Sequence, residues 1–304
     1  MKSLTPQLTT TLLENGIIPD NIPELVSAGF SMEPTAGMMY HKNIVSANQV
    51  TLHSHNFFEL IYCRYVDSAE YLLGPRRYRL RSGDILIIPP ETAHCPLLST
   101  DSTATFERET LWVSPELFHK YGYNLPDHFL FNIHSPALLR TGNSRWAYIG
   151  DYFKHANEEA DLQRYQWEDW LFGNTILLLV AVSRALSDLE SVALEMDTPQ
   201  LFDKIIQYIE RNFTGKITLE EASRLNYTSK STIARLFSKY TGTSFYRYVT
   251  QRRLIEAVSH IRNGIPLDTI AVMVGFADYP SFYRAFKQEY GISPSQFRKA
   301  QKEG

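Results

Sequence analysis

His53, His55 and Glu59 stand at i, i+2 and i+6, and His94 follows the Pro89-Pro90 pair further along the chain. Residues two apart on a strand share a face, so one continuous strand would point all three the same way. Three imidazoles and a carboxylate brought together could ligate a divalent transition metal with positions left open for a further ligand. The same groups could instead hydrogen-bond a small effector in a polar pocket, or be structural histidines satisfied by backbone carbonyls. A second kind of chemistry sits near the carboxyl end, at Arg235 and Arg284. The planar guanidinium fork can bond guanine O6 and N7 together in a DNA major groove.

These two arginines belong to a duplication. Adding 49 carries Ala222 onto Ala271, Asn226 onto Gly275, Tyr227 onto Phe276, Ile233 onto Phe282, Arg235 onto Arg284, Phe237 onto Phe286 and Gly242 onto Gly291, without a gap. Each copy reads as helix, tight turn, helix. Ala222 is small enough for the next helix to cross close above it, and the ungapped repeat puts Asn226 and Gly275 where the turn needs a positive φ. The second helix buries Ile233, Leu236, Phe237 and Tyr240 in one copy, and Phe282, Ala285, Phe286 and the stem of Glu289 in the other. At 100° per residue, Ser231, Arg235 and Ser238 face away from the first stripe, with Lys239 on its flank. Pro280, Arg284 and Lys287 face away from the second, flanked by Tyr283. The candidate DNA contacts are therefore Arg235 and Arg284 for base edges, Ser231, Tyr279 and Tyr283 as secondary readers, and Lys230, Lys239 and Lys287 for phosphates. Solvated surface charge is the plainer alternative.

A long helix capped by Ser244 runs to Arg262 and is ended by Asn263-Gly264, with Phe245, Tyr248, Val249, Ile255 and Val258 on one face. It would hold the two outward faces apart, in reach of successive major grooves on one side of a duplex.

The pattern resembles the AraC/XylS family of bacterial transcription regulators. The resemblance is carried by Ile217-Thr-Leu-Glu-Glu-Ala222, Ser231-Thr-Ile-Ala-Arg-Leu-Phe237 and Gly242-Thr-Ser-Phe245 in the first copy. In the second it is carried by Ile270-Ala271, Val274-Gly-Phe-Ala-Asp278, Ser281-Phe-Tyr-Arg-Ala-Phe-Lys287, Tyr290-Gly-Ile-Ser-Pro-Ser295 and Phe297-Arg298. The first copy departs from the family pattern, which commonly has one more residue in the first helix and one fewer in the turn. That register would put Ser223 and Tyr227 where the internal repeat puts Ala222 and Asn226.

Upstream, from about Tyr40 to Val113, come short β-rich runs: Phe57–Val66, Ala69–Gly74, Tyr78–Arg81, Ile85–Ile88 and Thr103–Val113, with no helix between them. They predict an antiparallel barrel or sandwich. With its H-x-H-x3-E run and the later histidine, this part resembles the cupin barrel, which the resemblance makes an effector sensor. Tyr62, Arg64 and Trp112 are further candidates for its lining. Arg76, Arg77, Arg79 and Arg81 form a basic cluster, either an anion site or a hairpin exposed to water. After Pro115 the chain is expected to be helical, over Trp146–Asn157 and Gln163–Leu189. The second segment is apolar on more than one side, so it packs partly on the barrel and partly on a second subunit, or wholly within one chain.

Composition agrees with a division of labour. Residues 200–304 carry 16 Lys and Arg against 9 Asp and Glu, and residues 1–199 carry 14 against 24. A basic unit joined to an acidic one suits a chain in which only one part touches phosphate. Cys63 and Cys95 give no disulfide framework or metal-type pair, so a reduced cytoplasm is the expected setting. No run approaches the ~20 apolar residues of a membrane span, Thr175–Val182 being the nearest, and the amino end lacks a signal-peptide core.

The expected architecture is α+β: a cupin-like sensing unit with helical linker over residues 1–190, a connector at 191–199 and a tandem helix-turn-helix over 200–304. Thr198 would cap, and Pro199 begin, an amphipathic helix ended by Gly215. The expected function is effector-controlled, sequence-specific transcription regulation, with His53, His55, Glu59 and His94 as effector contacts and no cofactor or metal assigned. The family resemblance implies activation, promoter DNA, RNA polymerase, a homodimer and a small effector such as a sugar. A metal-dependent cupin enzyme with an accessory DNA-binding tail is the alternative, and a protein-binding scaffold a third.

Overall fold

The computed structural model describes residues 38–45, 52–97, 106–114, 117, 136–188 and 201–303. The expectations for residues 1–37, for Thr103 as a strand start, for the 191–199 connector and for the Thr198 cap with Pro199 lie outside them.

The β portion contains β1 (Met38–Val45), β2 (Phe58–Val66), β3 (Glu70–Leu73), β4 (Arg76–Arg79), β5 (Asp84–Ile88), β6 (His94–Leu97), β7 (Phe106–Val113) and β8 (Ala137–Arg140). They form a five-stranded sheet, β1-β7-β2-β5-β8, and a three-stranded sheet, β4-β3-β6. Each pairing between these strands is antiparallel, as the alternating patterns require. Strand β2 shows how the faces divide. Phe58, Leu60 and Tyr62 join the core beneath two helices, whereas Ile61 and Cys63 join Tyr71, Leu73, Leu86, Ile88 and Phe106 in the core between the sheets. Glu59, in step with Ile61 and Cys63, takes that inner face.

Three strands, β1, β6 and β8, lie outside the expected runs. The region after Pro115 contains β8, and β6 follows Ala93. Both are only four residues long and both are edge strands. Pro96 interrupts the β6 pattern and is tolerated because an edge strand leaves one row of N–H groups unpaired.

Helix α1 (Ile149–Leu162) and helix α2 (Trp167–Ser187) cover the outer face of the larger sheet. Gln163 and Gln166, both at positive φ, separate them, so α2 starts four residues later than expected. Contrary to the sequence reading, α2 is long and apolar enough to cross a membrane by length and composition alone. In the fold, however, Leu171, Leu178, Leu179 and Val182 are buried against the sheet. Its Thr175 hydroxyl lies 2.8 Å from that of Tyr40 in β1. Trp170 and Leu177 remain exposed on the other side.

The carboxyl-terminal bundle comprises α3 (Leu201–Asn212), α4 (Leu219–Leu225), α5 (Lys230–Thr241), α6 (Phe245–Arg262), α7 (Leu267–Met273), α8 (Tyr279–Tyr290) and α9 (Pro294–Glu303). Helix α6 serves two cores rather than the single face expected. Phe245, Tyr248, Val249 and Ile255 pack with Phe202, Ile205, Ile233 and Phe237. Leu254, Ala257, Val258 and Ile261 pack with Ile270, Phe282, Phe286 and Phe297.

The first of these cores also includes Leu52, Leu72, Ala93, Cys95 and Leu97, so the outer face of the smaller sheet rests on the bundle. Two ion pairs join the same parts. Arg77 bridges Glu70 Oε2 at 2.6 Å and Asp203 Oδ1 at 2.7 Å, and Arg262 pairs with Glu91. Arg77 thus departs from the expected exposed hairpin: its side chain is 7% exposed. Burial opposes its charge, but the two carboxylates outweigh burial and hold its pKa above the ordinary range. Arg77→Ala leaves both carboxylates without their cation. The expected loss is about 1–3 kcal/mol, below the value for a wholly buried pair because Glu70 is partly wet. Denaturant unfolding of the full chain measures it, and an unchanged midpoint would refute the bridge's contribution.

Candidate nucleic-acid interface and interior polar cluster

The two helix-turn-helix units are built by local signals. Thr218, Ser229 and Asp278 each accept a backbone N–H three residues on, from Glu221, Thr232 and Ser281, which fixes the starts of α4, α5 and α8. Gly242 and Gly291, both left-handed, close α5 and α8. Inside α5, Ile233 and Phe237 are fully buried, and inside α8, Phe282 and Phe286 are. Tyr290, which the sequence stripe omits, is buried beside Phe286 with ring centroids 4.5 Å apart.

Those anchors turn Lys230, Ser231, Arg235 and Lys239 of α5, and Arg284 and Lys287 of α8, out to solvent. Tyr279 and Tyr283 are half-buried, their rings 6.2 Å apart. Lys230 lies 3.8 Å from Glu220 across an exposed surface, a weak tether. Arg284 donates to the Ser281 hydroxyl at 3.2 Å. Among the described residues, Arg235 and Arg284 have no carboxylate within ion-pair distance, so both forks keep donors toward solvent.

The turn register corrects the ungapped repeat. The left-handed residue of the first turn is Tyr227, at φ 49°, not Asn226. Asn226 sits at φ −105° and its side-chain amide donates to the Ala222 carbonyl at 2.9 Å. Four residues separate α4 from α5, whereas five separate α7 from α8. Gly275 does occupy the left-handed region, at φ 91°. A short amide satisfying the helix end has displaced the positive φ by one residue and left Tyr227 98% exposed.

The second cluster lies between the sheets. His53, His55 and Glu59 do not share one strand. His53 makes an isolated bridge to His94, and β2 begins only at Phe58. The side chains nevertheless converge. His55 Nε2 lies 3.3 Å, and His94 Nε2 3.1 Å, from Glu59 Oε2. The His53 ring lies beside that of His94, centroids 4.2 Å apart and planes tilted by 56°, on the partly exposed side. Burial opposes the Glu59 charge, yet the His55 and His94 imidazoles hold its carboxyl well below the usual range. Burial lowers the His55 pKa despite that same carboxylate.

Of the three lining candidates, Trp112 reaches the cluster, its indole donating to Glu59 Oε1 at 2.8 Å. Tyr62 instead faces α1, its ring 5.6 Å from that of Phe153, and Arg64 is exposed. The sequence reading missed His41, Tyr71 and Thr110. The His41 Nδ1, Tyr71 hydroxyl and Thr110 hydroxyl are buried without a hydrogen-bond partner. Pairing of His41 with Thr110 across β1 and β7 was the signal, and it needs the register to be seen.

His41 gives a pH prediction. Burial, aided by Arg108, lowers its pKa from 6.5 to about 4. The unfolded chain therefore binds the extra proton between those values, so stability is present above pH ~6.5 and lost as pH falls toward ~4, by roughly 3 kcal/mol in all. His41→Gln should flatten that slope in denaturant titrations at pH 4 to 7; an unchanged slope would assign it to other groups.

Comparison with known proteins then adds identity. Residues 222–300 match a family described as a helix-turn-helix domain. The chain is 32% identical over 133 residues to the bifunctional transcriptional activator/DNA repair enzyme AdaA of Bacillus subtilis, covering 43% of this chain and 63% of that one. It is 23% identical over 252 residues to the HTH-type transcriptional activator RhaR of Salmonella dublin, covering 81% and 86%. Among solved structures, the C-terminal domain of the two-component response regulator yesN from Fusobacterium nucleatum is 31% identical, with TM-score 0.31, over 32% of this chain and 95% of that one. The match runs from within α4 into α9, so two helix-turn-helix units strung on one long helix give this chain a helix-turn-helix domain similar to those of AraC-type transcription regulators.

Proposed function

We propose that this protein is a sequence-specific DNA-binding regulator, acting as an activator and without enzymatic turnover, controlled by a small ligand in the polar interior of its β portion. One observation carries the reading: Arg235 and Arg284 stand exposed at matching places on duplicated helices whose opposite sides are fully buried. Each guanidinium reads a base edge, with Ser231, Tyr279 and Tyr283 beside them, while Lys230, Lys239 and Lys287 neutralise phosphates. Residues 200–304 form the DNA module and residues 1–190 the sensing unit, joined through 191–199.

Control passes through the packed contact between the two parts. His94 faces the interior cluster, while its neighbours Cys95 and Leu97 belong to the core shared with Phe202, Phe237 and Tyr248. The Glu91 N–H is bonded to the His55 carbonyl at 2.7 Å, and its carboxylate holds Arg262 at the end of α6. A ligand that shifts β6 or the 89–94 loop therefore changes what α3 and α6 rest on, which is a differential contact able to bias DNA affinity. The exposed Trp170 and Leu177 strip of α2 suits pairing with a second copy, and RNA polymerase is the partner of an activator bound at a promoter in the cytoplasm.

Selecting bound sites from random DNA with the purified full chain tests the reading. Enrichment of one motif with two separated half-elements is expected. Binding without sequence enrichment, or none that falls with added salt, would overturn it.

A further inference from the structure

Helix α6 carries the two helix-turn-helix units on opposite sides. At roughly 100° per residue, Phe245, Tyr248, Val249 and Ile255 point one way, into the first core, while Leu254, Ala257, Val258 and Ile261 point nearly the other way, into the second. Among the described residues, α6 is the element that the two cores have in common. A unit held only by its own stripe could lean about that helix, so what touches both units decides the angle between them.

Arg253 falls between the stripes and does so. Its Nε donates to the Phe213 carbonyl at 2.7 Å and its Nη2 to the Gly215 carbonyl at 2.8 Å. These carbonyls end α3, whose Phe202, Ile205 and Ile209 belong to the first core. The same guanidinium lies over the ring of Phe276, 5.8 Å from its centroid, and Phe276 packs against the second core. Gly275 completes the joint: a Cβ there would be 2.7 Å from the carbonyl oxygens of Phe213 and Thr214, so the α7–α8 turn sits directly against that segment. Arg253 suits the place by shape. A planar fork can hold two carbonyls at once while its face rests on an aromatic ring, which a lysine ammonium cannot. Burial opposes its charge, and the partial negative charge of a helix end offsets this. Neighbouring Arg252 instead stays within the first unit, paired with Glu210 at 2.8 Å and lying over the Phe213 ring.

We propose that Arg253 is a positioning residue that fixes the angle between the two helix-turn-helix units and so selects the spacing between the two half-elements bound. This rests on the reading of Arg235 and Arg284 as base contacts and adds what sets the distance between them. One base pair more or less turns the far half-element by about 35° and moves it by about 3.4 Å. A hydrogen-bonded fork tolerates neither, so two heads locked at one angle accept one spacing. Heads free to turn accept several.

The test is competition binding by the full chain to duplexes that carry the two selected half-elements at the preferred separation and at one base pair less or more. The unaltered chain should favour its preferred separation by roughly tenfold or more, the worth of one bidentate base contact. Arg253→Gln keeps a polar amide but cannot join both carbonyls to the ring. That preference should then fall to about threefold or less, with the base preference inside each half-element kept. Ile205→Val lowers stability through the first core without altering any group of the joint, and should keep the full spacing preference. Circular dichroism shows whether each variant folds. If Arg253→Gln does not, Phe276→Leu gives the same readout, since it removes the ring under the guanidinium and leaves an apolar side chain. Relaxed spacing with intact base preference supports the proposal. A folded variant of the joint that keeps the full spacing preference overturns it, and so does Ile205→Val relaxing the spacing to the same degree, which would tie spacing to stability alone. An unaltered chain with sharp base preference but no preferred separation overturns the joint and leaves the DNA reading standing. One without base preference at either half-element removes that reading, and the proposal with it.

Discussion

Gly275→Ala should destabilise the carboxyl-terminal bundle by about 2–4 kcal/mol and abolish DNA binding near its melting temperature. Two penalties add at this position. The backbone is at φ 91°, where a Cβ is strained, and that Cβ would lie 2.7 Å from the carbonyl oxygens of both Phe213 and Thr214. These are backbone atoms, so no rotamer change relieves the contact. Gly264 supplies the control. It has φ 77°, and a Cβ there meets nothing within 4 Å, so Gly264→Ala should cost only about 1 kcal/mol. Denaturant unfolding of the two variants separates crowding from backbone strain. Equal, small losses would mean that the turn between α7 and α8 does not press on the Phe213-Thr214 segment that follows α3.

The same glycine shows what the sequence could and could not reveal. The Ser244 cap and the Asn263-Gly264 stop placed α6 nearly to the residue, and the apolar stripes identified α5 and α8, because polar caps and buried aromatic residues act within one turn of the chain. The outward placement of Arg235 and Arg284 followed from the same stripes. Register was harder. An ungapped repeat pairs Asn226 with Gly275 by type, but whether Asn226 bends its backbone or caps with its amide depends on the carbonyl of Ala222, one turn away in space.

The interior cluster was legible as residue types and not as geometry. His55 and Glu59 come together because the chain bends before β2, not because a strand aligns them, and His41 and Thr110 become neighbours only through the pairing of β1 with β7. Long-range pairing of this kind leaves no mark on local spacing. Arg77 makes the same point from the surface: nothing within its own hairpin distinguishes it from Arg76 and Arg79, and its burial depends on Asp203, 126 positions away.

Arg284→Ala should weaken binding to the selected site by about 1–3 kcal/mol and relax the preference at one base pair, because a bidentate contact is lost where it discriminates. Arg235→Ala should do so independently at a second position. The two side chains stand on separate helices packed into different cores, so the double variant should lose the sum, about 2–6 kcal/mol, within a few tenths. Lys287→Ala behaves differently: it removes a phosphate contact, lowering affinity for all sequences alike and reducing the salt slope by about one. Fluorescence anisotropy on cognate and random duplexes across a salt series distinguishes these cases. If Arg284→Ala loses equally on both duplexes, its guanidinium serves as one more surface cation, and sequence choice must come from the half-buried tyrosines beside it.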